Sequence, residues 1–201
     1  MVDNRLRLID CSAIKADVDL YRCKKNKRDG NDKTDIDRGT SDPDASTGYK
    51  SGSNKWYGYK SGIIIDAESE IVTAVKTTTA SIADTDHLED LVERDIAASG
   101  GAKRICGDKG FLGHKDFLGQ KKIMDNIIRR NNMKIPKRLI YWLDKKIRPI
   151  IEHKFAEGKK LHGLAKARYR GRWRVHIQSL MIYLTTNLKK IVNFLSPIMV
   201  K

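Results

Sequence analysis

"KWYGYKSGIIIDAESEIVTAVKTTTA", residues 55–80, consists of two β-branched and aromatic runs joined by the polar "ESE". Such side chains fit a pleated surface, so the stretch predicts a β-hairpin. Upstream, "NRLRLIDCS" alternates polar and apolar through Leu6 and Leu8 into Ile9 and predicts a strand ending at Asp10. Downstream, "DTDHLEDLVERDIAASGG" places Leu88, Leu91, Val92 and Ile96 at helical spacing, with Asp84 as the cap and paired glycines as the stop. "AKRICGDKGF" is a short strand that again runs into an acid, Asp108. "KIMDNIIRR" fits a strand or a helix equally. Residues 139–162 read as helical, and Val175 to Leu195 as a longer amphipathic helix. Strand, hairpin, helix, strand and then helices predict a single α/β domain over residues 1–201, with a mixed central sheet flanked by helices. Lys24 to Ser53 is almost purely polar, with several glycines and Pro43, and predicts a long mobile surface loop.

Charge divides the chain sharply. Residues 1–100 hold 15 basic against 19 acidic side chains, a net of −4, whereas residues 101–201 hold 25 against 6, a net of +19. A polyanionic partner for the second half follows, nucleic acid being the first choice. Cys11, Cys23 and Cys106 show no C-x-x-C spacing, which argues against a zinc knuckle or disulfide framework and for a reducing compartment. The first residues have no apolar signal core, and no apolar run reaches transmembrane length, so a soluble intracellular protein is expected.

Two strands that each reach an acid, followed by a helix with a third, can gather carboxylates at one sheet edge, where divalent metal binds oxygen ligands. The third acid lies in "IRPIIEHKFAEGKK", residues 147–160. At about 100° per residue, Arg148, Glu152 and Lys159 fall within roughly 60° of one another, beside an apolar stripe of Ile147, Ile151 and Phe155. Taken alone, that is an ordinary i,i+4 Arg–Glu pair on a solvated face. Asp10 and Asp108 alone could equally close strand-to-loop turns, and Asp66, which also ends a strand, rivals Asp10. "KARYRGRWR", residues 166–174, interleaves Arg168, Arg170, Arg172 and two further bases with Tyr169 and Trp173. That mixture suits backbone phosphates and stacked bases, with the charges outward and at least one ring tucked inward. The five histidines show no metal-binding spacing.

The spacing R-x-x-x-E-x-x-x-x-x-x-K of Arg148, Glu152 and Lys159 resembles the third-acid signature of DDE transposases from bacterial insertion sequences. The branch it resembles most is the insertion-sequence-five type of the four/five superfamily. "LIDCSAIKAD" resembles the first-acid strand, "GDKGF" the second acid, and "TTTASIADTDHLEDL" the T-x-A-N-x-x-D segment between them. "DPDASTGYKSGSNKWYGYKSGIIIDA" and "LHGLAKARYRGRWRVHIQSLMIYLTTNLKKI" resemble the flanking blocks, in family order. The resemblance implies a ribonuclease-H-like fold. It implies Asp10, Asp108 and Glu152 as catalytic acids holding two Mg²⁺ or Mn²⁺ ions, spaced by 108 − 10 = 98 and 152 − 108 = 44 residues. It further implies Lys109, Arg148, Lys159, Lys160, Arg168, Arg170 and Arg172 as contacts to double-stranded DNA, with hydrolysis and strand transfer at element ends. A homodimer acting at the bacterial nucleoid, in the cytoplasm, completes the expectation.

The chain departs from the family pattern in four places. Lys145 stands at the tyrosine position of the third-acid signature, and Pro149 follows Arg148 directly, so the Glu152 helix either starts there or kinks. No end-recognition segment precedes the first-acid strand, and the second gap is short. These departures fit a truncated or inactive copy. Other readings are a non-catalytic DNA-binding remnant, a ribonuclease-H-like nuclease and a basic RNA-binding structural protein.

Overall fold

The computed structural model describes residues 2–18, 42–51 and 54–199. The expected hairpin forms the middle of the sheet. β3 (Asn54–Asp66) pairs antiparallel with β4 (Val72–Thr79), from Tyr59↔Thr79 to Ile65↔Val72. Along its other edge β3 pairs antiparallel with β1 (Leu6–Lys15), from Asp66↔Arg7 to Gly58↔Lys15. β5 (Arg104–Gly107) lies parallel to β1, and the short β6 (Met124–Asp125) parallel to β5. β2 (Ser46–Ser51) pairs with the first residues of β3. The helices are α1 (Leu88–Ser99), α2 (Lys115–Gln120), α3 (Leu139–Ile147), α4 (Pro149–Leu161) and α5 (Arg172–Met199). This is a mixed sheet flanked by helices, an α/β architecture.

Strand alternation sorts the side chains onto two faces. Leu6, Leu8 and Ile14 of β1 join Ile151 and Phe155 of α4 and Val175, Ile182 and Tyr183 of α5. Ile9 points the other way, with Ile105, Phe111 and the α1 residues Leu88, Leu91 and Val92. Burying each such side chain contributes ~1.5–3 kcal/mol, so both helical layers are held by β1 and its neighbours. At the N-terminal end of β1, Arg7 is buried with its Nη1 2.8 Å from Asp66 and its Nε 2.9 Å from Asp95. Asp66 also accepts hydrogen bonds from the Ser69 amide and hydroxyl, so the rival acid belongs to a buried structural cluster.

Several expectations change. β1 does not stop at Asp10: it continues to Lys15 because the longer β3 goes on pairing, and what stops there is β5, whose last partner pair is Ile9↔Gly107. Within the predicted loop, Ser46–Ser51 is β2, and Asp42 is buried, accepting from the Tyr59 hydroxyl at 2.6 Å; positions 24–41 and 52–53 lie outside the described residues. In "KIMDNIIRR" only Met124–Asp125 is a strand, although the amides of Asn126 and Ile128 go on bonding to β5 carbonyls. The predicted helix at 139–162 is two helices meeting at Arg148. Pro149 opens α4 at a first-turn position, where its missing N–H is not needed. α5 begins at Arg172, before the expected Val175. Asp84 does not cap its helix: a 3₁₀ turn, Thr85–His87, precedes α1, and the Asp84 side chain makes no cap hydrogen bond. Among the described residues, no helix is long and apolar enough to cross a membrane.

Candidate active site

Asp10 and Asp108 are brought together by sheet register. Ile9 pairs with Gly107 as the last pair of the parallel β1–β5 edge, so Asp10, still within β1, and Asp108, just past the end of β5, follow directly on that pair, and the Asp108 charge acts on Asp10. Alternation puts Asp10 on the face of Leu8 and Ile14, the side covered by α4 and α5. Gly107 permits this close approach: a Cβ there would meet Ile9 Cγ2 at 2.6 Å. Beyond Asp108 the chain turns through a 3₁₀ segment, Lys109–Phe111, anchored by the buried Phe111. One Asp108 carboxylate oxygen accepts the Lys109 amide at 2.8 Å.

Glu152 lies in the first turn of α4, next to Ile151, which seats the helix in the core. One guanidinium links it to β1. Arg148 Nη1 is 2.9 Å from Glu152 Oε1, and Nη2 is 3.2 Å from Asp10 Oδ2, 138 residues away in sequence. The ordinary i,i+4 pair is therefore present, and the same arginine also reaches the first acid. Among the described residues, no three His, Cys, Asp or Glu side chains stand close enough to share a metal ion. Arg148 fills the position between two of the three expected acids.

Burial pushes the Asp10 carboxyl up to about 6, with Arg148 and the Cys11 amide pulling it down and the charges of Asp108 and Asp84 raising it further. A buried acid beside two other acids favours either a proton or a cation. The donor set of carboxylate oxygens fits a hard divalent cation in type. In place, Asp10 and Asp108 fit as a pair, with Glu152 joined through the arginine.

Asp84 was read only as a cap, yet it stands at this site. Its Oδ1 is 2.8 Å from Nζ of Lys60, a largely buried lysine of β3 that also donates to the Ile82 carbonyl at 2.7 Å. The Asp84 carboxylate also faces Gly110, in the turn after Asp108. The only sequence signal for it was its place in the T-x-A-N-x-x-D segment.

The expected DNA contacts separate into groups. Lys109 is exposed beside Asp108. Arg148 is committed to the two acids rather than open to a phosphate. Lys159 is partly buried, and its ammonium is held below the usual lysine range by that burial and by the nearby Lys50 and Lys15. This basic cluster reaches the far end of β1, roughly 17 Å along the strand from Asp10. Lys160, Arg168, Arg170 and Arg172 are exposed around the α4–α5 connection. The expectation that one aromatic of "KARYRGRWR" turns inward is overturned: Tyr169 is 53% and Trp173 70% exposed. Ala167 and Val175 fill the core positions between them instead. Lys145, at the tyrosine position, has its ammonium 5.2 Å from the centre of the Trp142 ring.

A family described as "Transposase DDE domain" matches residues 31–188. No curated protein matches the chain. Among solved structures, the chain is similar to the HTLV-2 integrase catalytic core domain in complex with magnesium, with 13% identity and a TM-score of 0.34 over 88% of this chain and 97% of that one. It is also similar to a simian T-cell lymphotropic virus intasome in complex with a PP2A regulatory subunit, with 12% identity and a TM-score of 0.33 over 88% of this chain and 56% of that one.

Proposed function

Because the chain belongs to the transposase DDE domain family, we propose that Asp10, Asp108 and Glu152 are its catalytic acids, cutting and joining DNA strands at the ends of a bacterial insertion sequence of the four/five superfamily. The observation that supports this best is the Arg148 guanidinium, which ties Glu152 to Asp10 while β-register sets Asp108 beside Asp10.

Asp10 and Asp108 supply the partly buried oxygens that would hold magnesium or manganese, and Glu152 supplies the more exposed one. Such an ion, when bound, polarises phosphoryl oxygens of a phosphodiester. Arg148 neutralises Asp10 and Glu152 in its absence, and would turn to a phosphate only once an ion took over that role. Lys109, Lys159 and Lys160, with Arg168, Arg170 and Arg172, bind the duplex through its phosphates, and their number makes that binding strongly salt-dependent. The active form is a homodimer on DNA, working at the nucleoid.

Nicking of supercoiled plasmid carrying the element ends, with and without magnesium, tests the reading. Wild-type cutting that needs the metal and disappears in Asp108→Ala is expected; equal cutting by Asp108→Ala removes the assignment. One observation favours a second reading, a DNA-binding remnant that no longer cuts: Arg148 occupies the gap and, among the described residues, no three acids converge on one point. That reading expects salt-dependent DNA binding and no metal-dependent nicks from the wild type.

A further inference from the structure

A basic cleft opens between β4, α1 and the start of α5. It encloses about 250 Å³ and is lined by Lys76, Thr77, Arg94, Arg172, Trp173 and His176. We propose that this cleft is a nucleotide-binding pocket, taking a DNA phosphate on Lys76, Arg94 and Arg172 while Trp173 stacks on the adjoining base; this rests on DNA being the substrate.

The charge inside is unbalanced. Asp90 is 3.4 Å from Lys76 and 2.8 Å from Arg94, so one carboxylate serves two cations and fixes where they stand. Asp44 accepts the Arg172 backbone amide at 2.9 Å, while the Arg172 guanidinium makes no ion pair among the described residues. Burial first, then Arg94 and Arg172, hold the His176 imidazole below its usual range, so the histidine adds no further charge. Its Nδ1 lies 3.3 Å from the Thr77 hydroxyl, which in turn meets Ser179, giving the cleft a fixed polar floor. Three cations against Asp90, shared by two of them, and Asp44, held on the Arg172 amide, leave the cleft net positive, as an anion site requires.

Trp173 makes the anion a nucleotide. An indole left 70% exposed loses burial energy unless something covers it, and its ring already lies tilted against His176, 5.8 Å between centres. A flat apolar face beside a phosphate-sized cluster of cations is the combination that binds a nucleobase with its backbone. Lys76 and Arg94 come from the acidic half of the chain, so the overall charge division conceals the cleft. Lys76 lies level with Gly62 and, one strand further, Cys11, which places it about two strand spacings (~10 Å) from the strand of Asp10.

The test is binding of a short single-stranded oligodeoxynucleotide and of a duplex with a single-stranded overhang, in chelator, across a salt series. Wild type is expected to bind both with quenching of tryptophan emission. Trp173→Ala should abolish most of that quenching and weaken overhang binding roughly 5- to 150-fold. Arg172→Ala should lower the salt slope by about one phosphate contact. Unchanged melting of both variants assigns the losses to the cleft. Unaltered quenching and slope in the two variants overturn the proposal, as does displacement of the oligonucleotide by polyglutamate with the same tryptophan response. Because these measurements need no metal, they separate the cleft from the catalytic reading. Full nicking by Asp108→Ala sinks the acids and leaves the cleft standing, whereas a cleft failure leaves the Asp108→Ala result untouched.

Discussion

β1 carries an arginine-linked pair of acids near each end of its first half, and the two clusters are built oppositely. Arg7, with Asp66 and Asp95, has side chains 1%, 1% and 4% exposed. Its remaining donors reach the Asp3 and Gly101 carbonyls, the Asn4 side chain and the Ser99 hydroxyl. Arg148, with Asp10 and Glu152, is 18%, 17% and 56% exposed, and its buried Nε has no hydrogen-bond partner among the described residues. The same three groups thus serve once as a closed tie between β1, β3 and α1, and once as an open arrangement whose bonding is incomplete. Saturation marks structure. Incompleteness, with an acid pushed up to about 6 by burial, is what the proposed active site needs.

The largest effect expected from breaking this contrast is at the closed cluster. Arg7→Met leaves two buried carboxylates uncompensated and should cost ~3–5 kcal/mol, read as a lowered urea midpoint. A loss below about 1 kcal/mol would show that the cluster is not the structural tie described. At the open cluster, Asp10→Asn should stabilise the metal-free protein at neutral pH while abolishing nicking. The sign follows from the folded carboxyl titrating near 6 against 3.8 unfolded. Between those values the folded state binds more protons, so stability falls as pH rises from about 4 to about 6 and is flat above. Two pH units correspond to ~3 kcal/mol, and partial exposure reduces the expected gain to ~1–2 kcal/mol. Thermal melts of wild type and Asp10→Asn in chelator at pH 4 and pH 7 should differ by more at pH 7; equal differences would refute the burial account. The smallest effect is Arg148→Ala, within about 1 kcal/mol because the pair is partly solvated. It should nonetheless move the Asp10 titration higher still, as followed by carboxyl NMR, because Arg148 is the strongest influence holding it down.

Much of this was legible in the sequence because it is local. The hairpin, the helix of Leu88, Leu91 and Val92 and the strand before Asp108 follow from periodicity over a dozen residues. Bringing Asp108 near Asp10 takes the parallel pairing of β1 with β5, residues 104 − 6 = 98 apart, which local periodicity does not supply. The continuation of β1 beyond Asp10 was not legible, because Cys11, Ser12 and Ala13 carry no strong strand signal and are held by the length of β3. Asp84 was misread for a related reason: an acid before a helix favours a cap locally, but Lys60, from another strand, provides a stronger partner. The exposure of Tyr169 and Trp173 was missed because composition gives no face to a segment that lies outside a helix or only begins one. The Lys76–Arg94–Arg172 cleft assembles three elements, two from a half of the chain whose summed charge is negative.

β1 and β5 part company after Ile9 and Gly107. From that fork one prong stays laddered to β3 as far as Lys15, while the other bends away through a single short turn. The mouth between them thus has one side laddered along its length and one side held by a short turn alone, so substitutions in that turn should reshape the mouth while the β1 side keeps its place.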